Sequence, residues 1–412
     1  MKVLLIIGDG MADRPLKELG WKTPLEAARR SSMNHLASVG ICGIMDPIAP
    51  GIPPGSDTAT LALLGYDAFQ VYSGRGAFEA LGSGINVLDG DVCFRCNFAT
   101  VDENFVVLDR RAGRIADSDA AKLAESLKKV ELSDSSVKFL FANTVQHRAV
   151  LVLRGSKLSP AVSDSDPEVV GEKTLEVKPL NDSYEAKFTA KILNELIWKF
   201  HEILKEHPVN KERVARGLPP ANAILTRGAS TLPKIKPLNE IYGVNSVCVA
   251  ATSLVRGVCR AVGMQLLTVK GATGTPKTDY LAKAKAAVQA LENNDLVLLH
   301  VKAPDVASHD GNARQKVEVI EKIDRMLAYI LNKVDLSETY VALTADHTTS
   351  CVTKNHEGDP VPLAVMGPYV RSDDVEEFGE RTCAKGGLGR LKGKDLMPIL
   401  MNLIGRVKKF GA

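Results

Sequence analysis

Residues 2–10 read Lys2-Val3-Leu4-Leu5-Ile6-Ile7-Gly8-Asp9-Gly10. A short, unbroken apolar run ending in a turn is the pattern of a strand buried on both faces. The same figure returns twice near the other end of the chain. Leu296–Val301 is followed by Lys302-Ala-Pro-Asp305-Val-Ala-Ser-His309, and residues 340–344 by Ala345-Asp346-His347. Two further strands are expected at 247–251 and 265–269. Helical patterns lie between them, clearest at 278–291 and 312–334. Strands alternating with helices predict an α/β fold, a mostly parallel sheet with helices on both faces.

Around this frame the chain changes character. Thr23-Pro24 opens a helix that Gly40 ends, with proline in the first turn. A Pro/Gly-rich loop covers 47–55, and a short helix spans 56–64. Residues 67–238 mix short strands (92–100, 105–108, 149–153) with a long helix near 185–206, and prolines punctuate the end of the stretch. The expectation is a discontinuous domain, 1–66 with 239–412, interrupted by a smaller inserted α+β domain over 67–238.

The bulk composition narrows the function classes. The chain has 412 residues, 45% hydrophobic and 25% charged, with a net charge of +3. That balance gives no basic field for nucleic acid or a membrane surface. No apolar run nears the ~20 residues of a membrane span. The first run is too short for a secretory signal, so a cytoplasmic protein is expected. Seven cysteines, an odd number, make no disulfide framework. Cys93-Phe-Arg-Cys96 reads as a pair of small core residues. Homo-oligomerisation stays open.

In an open α/β sheet, ligands bind beyond the carboxyl ends of the strands. Asp9, Asp305, His309, Asp346 and His347 stand there, and His356 follows nine residues after His347. Taken singly, each has an ordinary structural reading, as a turn former, a helix cap or a buried histidine. As a set, three carboxylates and three imidazoles suit Mn²⁺, Zn²⁺, Co²⁺ or Mg²⁺. Six ligands exceed one site's needs and match two metals clamping a phosphoryl transfer. Ser56, in Pro54-Gly55-Ser56-Asp57 where a loop turns into a helix, is the candidate nucleophile. It could equally serve as a helix cap; both roles are compatible, because a helix N-terminus also presents N–H groups to phosphate.

These stretches resemble the archaeal-type, cofactor-independent phosphoglycerate mutases of the alkaline phosphatase superfamily. The matching segments are Gly8-Asp9-Gly10-Met11, Pro54-Gly55-Ser56-Asp57, Gly271-Ala-Thr-Gly274, Ala303-Pro-Asp305 with His309, and Thr344-Ala-Asp346-His347 with His356. The resemblance covers the whole chain, including the inserted domain. It implies interconversion of 3-phosphoglycerate and 2-phosphoglycerate, in glycolysis and gluconeogenesis, without added 2,3-bisphosphoglycerate. Ser56 would carry the phosphoryl group. Asp9, Ser56, Asp346 and His347 would surround one metal, and Asp305, His309 and His356 the other. The substrate's anionic groups would be held by arginines. Candidates are Arg95, Arg111, Arg114, Arg148 beside His147, Arg227 and Arg256; glycines next to Arg114 and Arg227 allow close approach. One departure is Thr348-Thr349-Ser350 after His347, where many superfamily members have a glycine. Rival readings are a phosphatase using water as acceptor, a phosphotransferase for another small acceptor such as homoserine, and a metal-dependent binding protein without turnover.

Overall fold

The computed structural model describes residues 1–411, and the chain divides into two compact units: Met1–Tyr72 with the segment from Ile235 onward, and Ser73–Lys234. The first unit is built on an eight-stranded sheet. Its order is Gly389–Lys392, Ile41–Asp46, Val361–Met366, Thr339–Thr344, Lys2–Gly8, Leu296–Val301, Ser246–Val249, Gln265–Leu266. Only Val361–Met366 runs antiparallel to its neighbours. The N-terminal strand lies at the centre, paired in parallel with Leu296–Val301 and with Thr339–Thr344. All three strands are buried almost end to end, as their unbroken apolar runs require. This pairing makes neighbours of the three loops that carry Asp9, Asp305 and Asp346.

Helices cover the sheet through apolar stripes. In Ala313–Leu331 the buried positions include Val319, Ile320, Ile323, Leu327 and Ile330, at the three-to-four spacing of one helix face. Lys316 lies on the same stripe and is wholly buried. No helix among the described residues is long and apolar enough to cross a membrane.

The structure departs from the sequence expectation in three places. The helix expected from Pro24 to Gly40 is two helices, Pro24–Ala27 and Ser31–Val39. Arg30 breaks it: its buried guanidinium donates to the carbonyls of Glu26, Ala28 and Phe378. The strand expected at 265–269 keeps only Gln265–Leu266. The strands Ile41–Asp46, Val361–Met366 and Gly389–Lys392 carry no signal the sequence reading used.

The second unit is a five-stranded antiparallel sheet centred on Val92–Val101. Period-2 alternation sorts its faces. Phe94, Cys96 and Phe98 enter an apolar cluster with Leu123 and Leu127 of Asp117–Leu127 and with Leu193, Leu196 and Phe200 of Tyr184–Glu206. Arg95 and Asn97 alternate with them. The helix Arg75–Gly82 also packs on this strand. Cys93 and Cys96 are buried, and burial pushes the Cys93 thiol up to about 12.

Candidate functional site

Each strand delivers its side chain just past its last residue. Asp9 follows the central strand and is fully buried. The helix Ala303–His309 starts two residues after its strand; Pro304 sits in its first turn, and Asp305 and His309 share one side of it. Asp346 and His347 are fully buried beyond Thr344. Ser56 is the first residue of the helix Ser56–Leu63, so Gly55, not the serine, holds the capping position.

These residues converge within the first unit. Ser56 Oγ lies 3.2 Å from His347 Nε2. His347 Nε2 is 3.6 Å from Asp9 Oδ1 and 3.4 Å from Asp346 Oδ2. Asp305 Oδ1 lies 3.3 Å from both His309 Nε2 and His356 Nε2. The His347 and His356 rings stack at 3.7 Å between centroids. Among the described residues, the groups able to hold a metal ion are Asp305–His309–His356, Asp9–Asp305–His347 and Asp9–His300–Asp346.

The ring nitrogens facing away from this centre fix the tautomers. His309 Nδ1 is 2.7 Å from the carbonyl of Lys354, and His356 Nδ1 is 2.7 Å from that of Pro54. A carbonyl only accepts, so each Nδ1 carries the proton. His347 Nδ1 is 2.9 Å from Thr349 Oγ1, whose own hydroxyl donates to Asp305 Oδ1 at 2.9 Å. With its hydrogen committed, Thr349 accepts from His347. All three Nε2 atoms are therefore lone pairs when the rings are neutral, turned toward carboxylate oxygens. Lone pairs and carboxylates 3.3 Å apart repel unless a cation lies between them. Outer hydrogen bonds of this kind orient the histidine ligands of metals. Thr349, in the segment where the sequence departs from the family pattern, thus ties His347 to Asp305.

Electrostatics sharpen the same point. Burial pushes the Asp346 carboxyl well above the usual range, and the nearby Asp9 charge adds to it. Burial also raises Asp9, but Lys302 and His300 outweigh it and hold its pKa at about 2. Burial first, and the neighbouring His356 after it, lower His347 to about 3. Asp9 Oδ2 and Asp346 Oδ2 are buried without a hydrogen-bond partner. Leaving such oxygens unpaired is costly. The donor set and its unpaired oxygens fit divalent metal ions.

Two residues at this centre escaped the sequence reading. His300 Nε2 sits 2.8 Å from Asp9 Oδ2, without hydrogen-bond alignment. Lys302 Nζ lies 2.9 Å from Asp9 and 2.8 Å from Asp305.

The arginines divide differently. In the second unit, Arg95, Arg111, Arg114 and Arg148 all act on His147, whose pKa falls to about 4 through burial first and then these charges. Burial and then Arg75 lower Arg95 to about 9, and its Nε has no partner. Arg114 has a left-handed backbone, φ 55°. Arg227 is held by an acidic group, Asp164, Asp166 and Glu168. Arg256, in the first unit, donates to the carbonyls of Ala250 and Leu267.

Known proteins resemble this chain in sequence and in fold. A family model described as 2,3-bisphosphoglycerate-independent phosphoglycerate mutase matches residues 37–210. A protein of that name from Methanocaldococcus jannaschii is 51% identical over 411 residues, covering 100% of this chain and 99% of its own. One from Thermococcus kodakarensis is 49% identical, covering 100% and 99%. Among solved structures, a Pyrococcus horikoshii protein superposes with a TM-score of 0.87 at 42% identity, covering 100% of this chain and 99% of that one. A cofactor-independent phosphoglycerate mutase from Thermoplasma acidophilum gives a TM-score of 0.70 at 36% identity, covering 98% and 100%. With likeness of this order along its whole length, the chain belongs to the 2,3-bisphosphoglycerate-independent phosphoglycerate mutases.

Proposed function

We propose that this protein interconverts 3-phosphoglycerate and 2-phosphoglycerate through a phosphoserine on Ser56, with no need for 2,3-bisphosphoglycerate. The observation that carries this reading is the set of three histidine Nε2 lone pairs facing buried carboxylates beside the Ser56 hydroxyl. One divalent ion would be held by Asp9, Ser56, Asp346 and His347, and a second by Asp305, His309 and His356. Ions such as Mn²⁺, Co²⁺, Zn²⁺ or Mg²⁺ would supply Lewis-acid neutralisation of the serine and phosphoryl oxygens.

Ser56 Oγ attacks phosphorus, and the bond from phosphorus to the C3 oxygen breaks. Ser56 then holds the phosphoryl group. The glycerate 2-hydroxyl takes it back, which regenerates the serine. Freed glycerate must stay bound and water must stay out during this interval. We assign that task to residues 67–238 as a substrate-binding lid. Arg95, Arg111, Arg114, Arg148 and His147 supply its anion contacts, with Arg227 and Arg256 as further candidates. Planar guanidinium groups suit bidentate grip on carboxylate and phosphate.

The test is an enolase-coupled mutase assay on wild type and Ser56→Ala, with single metals returned to stripped enzyme. Ser56→Ala should keep less than about a hundredth of wild-type kcat, a loss above ~3 kcal/mol. A more active variant would rule out the serine as phosphoryl carrier. A second arm uses 3-phosphoglycerate labelled on both phosphate and carbon, diluted with unlabelled substrate. The two labels should stay together in the product. Scrambling would remove the lid role, and phosphate release faster than isomerisation would indicate a hydrolase.

A further inference from the structure

Lys302 places its ammonium between two carboxylates of this centre, Asp9 and Asp305, and neither proposed ligand group includes it. It follows the strand Leu296–Val301 and stands at the N-terminal end of the helix Ala303–His309. Its ammonium has three donors and no acceptor. All three have partners at the site: Asp9 Oδ1 at 2.9 Å, Asp305 Oδ2 at 2.8 Å and Ser56 Oγ at 3.2 Å. The contact with Ser56 distinguishes it from an ordinary structural ion pair. Two carboxylates alone would satisfy the charge, yet the third donor reaches the nucleophilic oxygen.

We propose that Lys302 is a catalytic residue of the mutase reaction. This rests on Ser56 being the phosphoryl carrier. Lys302 fixes Ser56 Oγ for attack and keeps a permanent positive charge beside the oxygen that gains and loses the phosphoryl group. In each half-reaction one phosphorus–oxygen bond forms and one breaks. The serine gives up its proton and the departing glycerate oxygen gains one; the second half reverses this. Lys302 stays protonated throughout and contributes electrostatic stabilisation, often the largest single contribution in such transfers. Because an ammonium cannot ligate a metal and repels one, it also raises the cost of loading the adjacent ligand groups.

Two roles are separable by experiment. If Lys302 only braces Asp9 and Asp305, its removal scatters the ligands and weakens metal binding. If it acts on Ser56, metal binding survives or tightens while turnover falls. Lys302→Met, Lys302→Gln and Lys302→Arg are compared by mutase kinetics. Mn²⁺ binding to chelator-stripped protein is measured by calorimetry, and folding is checked by thermal unfolding. We expect kcat to fall about 100-fold or more in the Met and Gln variants, with KM changed less than about threefold. Mn²⁺ affinity should be equal to or tighter than wild type, and Arg should restore part of kcat. Met or Gln variants keeping more than about a tenth of kcat overturn the proposal. So does a loss of Mn²⁺ binding that parallels the loss of turnover. Gln, close to Lys in length, serves if the Met variant does not fold. Ser56→Ala is run alongside: an active Ser56→Ala would defeat the phosphoserine reading, whereas an inactive one beside a fully active Lys302→Gln would defeat only the lysine's role.

Discussion

Lys316→Met tests how the fold holds the site's loops together. Lys316 and Asp13 are both wholly buried, with Nζ 3.0 Å from Asp13 Oδ2. The same ammonium donates to the carbonyl of Ala12 at 3.0 Å and to that of Thr349 at 2.8 Å. It therefore ties the segment after Asp9 to the segment after His347. Methionine fills similar volume but leaves the Asp13 charge buried and two carbonyls unpaired. Breaking a buried pair from one side costs about 3–5 kcal/mol. For a unit of about 250 residues, that lowers the melting temperature by about 6–20 °C. Calorimetry on chelator-treated protein reads the shift without metal stabilisation. The double variant Lys316→Met/Asp13→Leu removes both charges and should recover about half of the loss. Recovery stays partial because Asp13 also accepts from the N–H groups of Arg14 and Cys351. A single variant costing under about 1 kcal/mol, or a double variant less stable than the single, would refute the argument.

Chelation should lower the melting temperature of the wild type, and added Mn²⁺ should restore it, by about 2.7 kcal/mol at a hundredfold excess over Kd; an unchanged midpoint with metal confirmed absent would contradict the two-metal reading. His147 has a pKa of about 4 in the fold against an ordinary 6.5, so the folded state binds its proton less readily than the unfolded chain. The resulting stability is present above about pH 6.5 and is lost as pH falls toward 4, up to about 3 kcal/mol. Urea titrations at pH 4 and 7 should show that slope in wild type and a smaller one in His147→Gln. Arg95→Met should raise the melting temperature of the free protein, because it removes a buried, partly unpaired guanidinium, while raising KM about tenfold or more. A lower melting temperature with KM unchanged would place Arg95 outside the substrate site.

The sequence made the ligand loops legible for a specific reason. Asp9, Asp305 and Asp346 each follow an unbroken apolar run, and such runs become parallel strands whose carboxyl ends share one edge. The central place of Lys2–Gly8 between the other two strands then makes the loops adjacent. The pairing of Val361–Met366 with Ile41–Asp46 and the bond from Arg30 to the Phe378 carbonyl each join residues more than three hundred positions apart, and no local period reports those contacts. The arginines show the same limit. Gly228 beside Arg227 suggested an open approach, but Asp164, Asp166 and Glu168 occupy its guanidinium, contacts made across some sixty residues.

The two residues the sequence reading missed follow from charge balance, which only the assembled site displays. His300 falls inside the run Leu296–Val301 and reads as one polar interruption of a strand, yet its ring is buried against Asp9. Lys302, one position past the strand, reads as a surface lysine. Once three carboxylates are gathered in a buried pocket, they can all remain ionised only with a cation among them; otherwise one takes up a proton. The chain supplies one such cation itself and leaves the remaining negative charge and the three histidine lone pairs for metal. That division explains why Asp9 remains ionised, with a pKa of about 2, while Asp346 beside it is pushed well up. Lys302 contacts Asp9 and Asp305 but has no hydrogen bond to Asp346. The carboxylate with least help from the lysine is the one with most to gain from a divalent ion.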